Sequence, residues 1–336
     1  MGPLLERWLD GLEAVRVLDE ASVSLVREEV RRRGALAGLD ADAIESLAAA
    51  ASELGHNHLR HAVRGNIAVR TVERGGVPGL EVIAADAGPG IADPARALRG
   101  EPRASGSLGV GLSAAQRLSH EMDLDVRAGE GTMVRLRRFS SPVVRREVAI
   151  LSRPREGEHV SGDDAVAIGT SGGLLLAVAD GLGHGELARA ASAAVIDTVR
   201  AAPDLGLAEL LTACGPAVRD TRGAVAALAR IDPGGGSVAI AGAGNVTGVV
   251  HGPRSAHRTL GTAHVLGSPQ RPPRFDEQRF PLESHHTIIL FSDGIASRAD
   301  LADELEILRQ PPIAVAQRLI EKFGRRDDDV LVLVAR

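Results

Sequence analysis

Apolar residues recur along this chain with two periods, and the change from one to the other marks out the elements. From Ser22 to Leu36 the valines at 23, 26 and 30 fall on one side, which predicts an amphipathic helix. Asp40 stands where an N-cap belongs, and Ile44, Leu47, Ala51 and Leu54 carry the core face of a long helix to about Val63. Val15 to Leu18, Asn66 to Glu73 and Gly79 to Ala85 are β-type runs, the last two joined as a hairpin through Arg74-Gly75-Gly76-Val77-Pro78. A Gly-, Pro- and Ala-rich stretch from Asp86 to Gly109 is too long for an ordinary connection, and loops of that kind are often functional lids. Val110 to Glu121 resumes as a helix, followed by strands at Leu124 to Ala128 and Thr132 to Phe139.

Ser140-Ser141-Pro142 interrupts the pattern and is the domain boundary expected from sequence. Strands follow at Val143 to Leu151, Ala165 to Thr170 and Leu174 to Ala179, with Ser171-Gly172-Gly173 as a turn. Glu186 to Ala201 and Leu207 to Val218 read as helices. Ala224 to Ile231, Ser237 to Ala243, Val246 to His251, Thr287 to Phe291 and Val330 to Ala335 return to strand. The expectation is an α/β (α+β) chain of two different domains, 1–139 and 148–336, with 140–147 as linker, each an α/β sandwich.

Composition narrows the classes. At 336 residues, 44% hydrophobic and 25% charged, the chain can bury two cores of ordinary size. Aromatics are 2% with no Tyr, so the cores must be built from Ala, Val, Leu and Ile. A single cysteine, Cys214, excludes an intramolecular disulfide and reads as a small apolar filler in a reducing cytoplasm. No apolar run is long enough to cross a bilayer, so a membrane partner is not expected. The net charge of −5 is spread among interspersed acids and bases, with no footprint for nucleic acid. Lys322 is the only lysine, so no lysine can serve a phosphate in the first half.

Two chemistries are written one after the other. On the helix from Asp40, Glu53, Asn57 and His61 are four apart and share a face. An Asn oxygen there is a hard ligand suited to Mg²⁺, and a Glu one turn away is placed to polarise an incoming hydroxyl. Asp86 ends an apolar strand, where a carboxylate can accept from an exocyclic amine such as that of adenine. Gly88 and Gly90 let backbone approach a ring, and Gly106, Gly109 and Gly111 precede a helix whose N–H groups favour phosphate.

In the second half Asp180 and Asp293 end apolar strands and each is followed by glycine. With Asp163 and Asp327 they form up to four carboxylates, whose repulsion a divalent pair would relieve while activating a water toward phosphorus. Gly181 would let its carbonyl approach a metal. Asp163 is taken over Asp164 because it follows Gly162, and the register of Asp327 against Asp328 stays open. No basic phosphate clamp is evident near the start of this domain.

The first set, Ser52-Glu53-Leu54 with Asn57, Asp86-Ala87-Gly88-Pro89-Gly90-Ile91, Gly106 to Leu112 with Arg117-Leu118, and Gly129-Glu130-Gly131-Thr132, resembles the gyrase, histidine kinase and MutL (GHKL) type of ATPase, specifically the RsbT-like switch serine kinases. That resemblance implies Glu53 as catalytic base, Asn57 as Mg²⁺ ligand, Asp86 as adenine contact and Thr132 beside it, with Gly88, Gly90, Gly106, Gly109 and Gly111 shaping the ATP pocket. The second set, Gly162-Asp163, Asp180-Gly181-Leu182-Gly183-His184-Gly185, Ser292-Asp293-Gly294 and Asp327-Asp328, resembles the SpoIIE class of metal-dependent serine/threonine phosphatases in its compact RsbX-like form. It implies Asp163, Asp180, Gly181, Asp293 and Asp327 around two Mn²⁺ or Mg²⁺ ions, and His184 as a loop-shaping residue.

Together the resemblances imply a cytoplasmic regulator that phosphorylates and dephosphorylates STAS-domain antagonist or scaffold proteins. A sigma factor or a downstream phosphatase would be a further partner. The alternatives are a non-catalytic, sequestering ATP module or a nucleotide-gated regulator, attached in either case to an active phosphatase.

Overall fold

The computed structural model describes residues 4–62, 64–74, 76–101, 110–141, 143, 146–170, 173–252, 256–270, 273–283, 285–296 and 307–336. The chain divides into two compact units, Met1–Glu147 and Val148–Arg336. Among the described residues no helix is long and apolar enough to cross a membrane.

In the first unit α1 (Leu4–Trp8) and β1 (Ala14–Arg16) precede two long helices, α2 (Glu20–Leu36) and α3 (Ala41–His61). Then come β2 (Gly65–Arg74), β3 (Val77–Asp86), α4 (Pro94–Leu98), α5 (Val110–Leu118), β4 (Glu121–Arg127) and β5 (Gly131–Phe139). The strands form an antiparallel sheet in the order β1-β2-β3-β5-β4. Asp19 caps α2 by accepting from Ser22 N at 2.8 Å, and Asp40 caps α3 through Ala43 N at 2.6 Å. Small residues let α2 and α3 pack closely, since a Cβ at Gly55 would lie 3.0 Å from Val23 and one at Gly34 would lie 2.9 Å from Ile44.

Strand alternation divides β3 between two faces. Leu80 is close to Gly34 of α2, whereas Ile83 and Ala85 join Ala68 and Met133 under Leu5, Trp8 and Leu9. The remainder of that second face is a ladder of charges. Glu81 stands opposite Arg70 on β2 and Arg137 on β5, and Glu121 and Asp123 on β4 stand opposite Arg137 and Arg135. Helix α5 stops at Leu118 and Glu121 already belongs to β4, three residues before the strand expected from sequence, because its carboxylate pairs with Arg74 and Arg137 within the ladder.

The second unit runs β6 (Val148–Arg153), β7 (Asp163–Thr170), β8 (Gly173–Gly181), α6 (Gly185–Ala201), α7 (Leu207–Ala217), β9 (Ala224–Ile231), β10 (Ser237–Ala243) and β11 (Thr247–His251). It continues with β12 (Ala256–Leu260), β13 (Gln278–Pro281), β14 (Thr287–Phe291), a 3₁₀ turn at Ile307–Arg309, α7's counterpart on the far side, α8 (Pro312–Phe323), and β15 (Val330–Ala335). Its strands fall into two sheets, β6-β15-β14-β11-β12 and β13-β10-β9-β8-β7. Ile150, Leu176, Val178, Ile240, Leu290 and Leu333 lie in the core between them. Helices α6 and α7 cover the outside of the second sheet, with Cys214 fully buried beneath them, and α8 covers the outside of the first.

Strand β6 starts at Val148 rather than Val143, and β12, β13 and α8 are additions to the sequence expectation. The strands β12 and β13 are short and largely exposed, so they carry little apolar signal. Both units are of the α/β class, the first an antiparallel sheet with helices and the second two sheets flanked by helices.

Candidate functional sites

In the first unit α3 brings Glu53 and Asn57 to one half-buried face, and the first turn of α5 closes against them. A Cβ at Gly111 would lie 3.1 Å from both Glu53 Oε2 and Asn57 Nδ2, so a side chain there would crowd both groups. Asp86 ends β3 opposite Thr132 of β5, and its Oδ1 accepts from Gly88 N at 2.7 Å. Burial pushes the Asp86 carboxyl above its ordinary range, while the backbone N–H groups of Gly88 and Thr132 partly restore the anion. Gly90 has φ +81°, and a Cβ there would press on Arg127 O at 2.9 Å. Gly106 and Gly109 lie outside the described residues.

The histidines around Asn57 differ from one another. His56 is half-buried and reaches Glu20 on α2 at 3.0 Å. His58 points inward, with its Nε2 4.0 Å from Asp86 Oδ2, and burial pushes its pKa down to about 4. The sequence carries the residue in plain view, but nothing in its spacing indicates that it turns toward the strand that ends in Asp86.

In the second unit Asp163 and Asp180 stand directly opposite each other at the ends of β7 and β8. Burial raises both carboxyls well above the usual carboxylate range, and repulsion from each other's neighbourhood, with Asp293, Asp328 and Asp329 contributing to both, raises them further. The buried Ser292 hydroxyl donates to Asp163 Oδ2 at 2.6 Å and accepts from Leu331 N at 3.0 Å, tying the start of β7 to β15. Asn245 Nδ2 donates to Asp293 Oδ2 at 2.8 Å. The buried Arg189 of α6 donates to the carbonyls of Ser161 and Asp163 at 3.2 and 3.3 Å, which fixes the approach to β7. Ser292 belongs to the Ser292-Asp293-Gly294 motif but was given no role from sequence, and Asn245 and Arg189 lie in no motif, so sequence reasoning did not single out what these three do.

The terminal aspartates are sorted by burial. Asp327, taken from sequence as the ligand, is exposed and is not among the carboxylates acting on Asp163 and Asp180. Asp328 is half-buried, and burial followed by repulsion from Asp293 raises its pKa. Asp329 is buried and used structurally, its two oxygens accepting from Arg155 N at 2.8 Å and Gly162 N at 2.9 Å. Asp328, and not Asp327, is thus the one of the two whose charge acts on Asp163 and Asp180. At Gly181 a Cβ would overlap Ala188 O, so glycine is required there for the approach of α6. His184 bonds Glu158 at 2.6 Å at the start of α6, and Arg222 lies against the preceding Gly183, its Nη1 2.6 Å from where a Gly183 Cβ would be.

Among the described residues no three His, Cys, Asp or Glu side chains are gathered closely enough to hold an ion as they stand. The chemistry of the donors nevertheless fits divalent cations: carboxylate oxygens are hard ligands, and several buried acids that raise one another's pKa need positive charge to ionise together.

Comparison with known proteins matches a different family within each unit. Residues 17–138 match the histidine kinase-like ATPase domain family, and residues 170–336 match the family described as Stage II sporulation protein E (SpoIIE). The serine/threonine-protein kinase RsbT of Bacillus subtilis (strain 168) is 34% identical over 120 residues, 36% of this chain and 90% of RsbT. The phosphoserine phosphatase RsbX of the same strain is 28% identical over 143 residues, 42% of this chain and 70% of RsbX. A solved chain described under "The bacterial stressosome: a modular system that has been adapted to control secondary messenger signaling" is 34% identical with a TM-score of 0.54, covering 57% of this chain and 100% of that one. RsbX in complex with magnesium, at 24% identity and a TM-score of 0.51 over 58% of this chain and 96% of its own, shares the fold.

Proposed function

This chain belongs to the RsbT family of serine/threonine-protein kinases through its first unit and joins to it a SpoIIE-type serine/threonine phosphatase domain, and we propose that it is a bifunctional partner-switching regulator. The first unit phosphorylates a serine or threonine of an STAS-type regulatory protein with ATP and Mg²⁺. The second removes phosphate from the same or a related protein with two Mn²⁺ or Mg²⁺ ions. The observation that supports this reading is that each unit has polar groups of its own near one another: Glu53 and Asn57 beside Gly111 in the first, and in the second Asp163 and Asp180 paired across β7 and β8 with Asp293 and Asp328 acting on both. The stressosome setting of one solved relative supports an STAS-type partner.

In the kinase unit Asp86 receives the adenine amine, Asn57 holds Mg²⁺ and Glu53 takes the proton of the attacking hydroxyl. The bond from that oxygen to the γ-phosphorus forms as the bond to the departing ADP oxygen breaks. In the phosphatase unit the ions, when bound, supply charge neutralisation and an activated water. Asp163, Asp180, Asp293 and Asp328 hold them, with Ser292 orienting Asp163 and Asn245 orienting Asp293. Asp329 keeps the loop from Arg155 to Gly162 closed on the site.

The test uses the purified full chain with ATP, Mg²⁺ and candidate STAS proteins, and then with the phosphorylated products and Mn²⁺. Asn57→Ala should abolish phosphate transfer, and Asp180→Ala should abolish phosphate release. Nucleotide binding without transfer to any STAS protein, with a sigma factor co-purifying, would replace the kinase reading by a sequestering one.

A further inference from the structure

His58 follows Asn57 on α3, but the helical rotation carries it off the Glu53–Asn57 face and into the interior, where it is 7% exposed. Its ring packs on Gly65, the first residue of β2, and any Cβ at position 65 would overlap it. Gly65 stands opposite Asp86 in the β2–β3 register, so this one glycine lets the ring reach the end of β3. The Nε2 atom lies 4.0 Å from Asp86 Oδ2, while Asp86 Oδ1 is already held by Gly88 N at 2.7 Å. The other ring nitrogen, Nδ1, is buried without a hydrogen-bond partner.

Packing alone does not account for that arrangement. An apolar side chain would fill the space between Gly65 and Asp86 without burying an unpaired ring nitrogen, which costs free energy. A neutral imidazole has one donor and one acceptor. With the proton on Nδ1 the buried orphan would be a donor and Nε2 would turn a lone pair on a carboxylate. With the proton on Nε2 the donor faces Asp86. Closing from 4.0 Å to hydrogen-bond range needs a movement of about 1 Å.

We propose that His58 is a positioning residue for Asp86: its Nε2–H holds Oδ2 as Gly88 N–H holds Oδ1, aiming the carboxylate at the exocyclic amine of an adenine nucleotide. The inference rests on the nucleotide reading of the first unit. Its consequence is selectivity, because a 6-oxo purine presents an acceptor where the fixed carboxylate requires a donor. A carboxylate held only by the backbone N–H groups of Gly88 and Thr132 is less firmly aimed, discriminates less and binds ATP more weakly.

The experiment measures the affinity of the full chain for ATP and for inosine triphosphate by calorimetry, in the wild type, His58→Leu and His58→Gln. Loss of a hydrogen bond to a charged group predicts that His58→Leu weakens ATP about tenfold or more and leaves inosine triphosphate within about twofold. His58→Gln keeps an N–H donor and recovers most of the ATP preference. Trp8 fluorescence reports whether each variant is folded, and His58→Met replaces His58→Leu if the latter is not. An unchanged ratio of the two affinities in the apolar variant, or an equal loss for both nucleotides, overturns the positioning role alone. Absence of ATP binding by the wild type overturns the nucleotide reading and this inference with it.

Discussion

Gly111 is a residue whose worth lies in what it lacks. A valine there would place methyl groups between Glu53 and Asn57, where a Cβ already comes within 3.1 Å of both. Gly111→Val should therefore lower phosphate transfer by more than about a hundredfold, the scale of losing a positioned base and ligand, with little change in thermal unfolding. At the other site the two adjacent aspartates make the sharper comparison. Asp328→Ala should remove Mn²⁺-dependent phosphate release from a phosphoserine peptide, whereas Asp327→Ala should stay within about twofold of wild type, as exposed substitutions away from special contacts do. The reverse ranking would favour Asp327, the position expected from sequence, as the ligand. These residues also show how far the site was legible. The Asp and Gly motifs point to the chemistry because acids at the ends of apolar strands are costly without a cation. They do not separate three consecutive aspartates, since the choice depends on which one meets Arg155 N and Gly162 N.

At the scale of the element, the first unit's sheet depends on a charge ladder. Burial alone would raise the Glu81 carboxyl, but Arg135, Arg137 and Arg70 outweigh it and hold the pKa at about 2, against an ordinary 4.5. The folded pKa is depressed, so the stabilisation is present above the unfolded value and is lost as pH falls from 4.5 toward 2. At 2% exposure screening is slight, and the loss is on the order of 3 kcal/mol. Denaturant titrations at pH 7, 4.5 and 3, followed by Trp8 fluorescence, should show the decline concentrated in the last interval. Glu81→Gln should destabilise the unit by about 3 kcal/mol at pH 7, because the arginines around it lose their central anion, and should flatten that pH dependence. A variant retaining the full wild-type decline would assign it to other acids. The sequence reading gave strands at Leu124 to Ala128 and Thr132 to Phe139 without their charge ladder, because only the register pairs Glu81 with Arg70 and Arg137.

For the molecule as a whole, the two units have separate cores, and the only tryptophan belongs to the first. Trp8 is buried and its Nε1 donates to Asp125 Oδ2 at 3.0 Å, so its fluorescence follows the unfolding of that unit. Saturating ATP and Mg²⁺ should raise the Trp8-detected transition, by about 2.7 kcal/mol at one hundred times the dissociation constant. Mn²⁺ alone should instead raise a calorimetric transition that Trp8 does not report. An ATP effect confined to the Trp8-silent transition would contradict the placement of the nucleotide site in the first unit.

The amino-acid sequence by itself determined the class of both units and the order of the two chemistries. Helical and strand periods, the Asp40 cap, and glycines beside acids are local properties that need no long-range information to be read. Tertiary structure alone decided where several chemically equal groups lie and what they meet. Strand pairing and helix rotation separate Asp328 from Asp327 and Asp329, bring Ser292 to Asp163, and turn His58 through the space above Gly65 toward Asp86. The physical reason is burial: water leaves identical side chains equivalent, whereas a packed interior distinguishes them by the partners within reach.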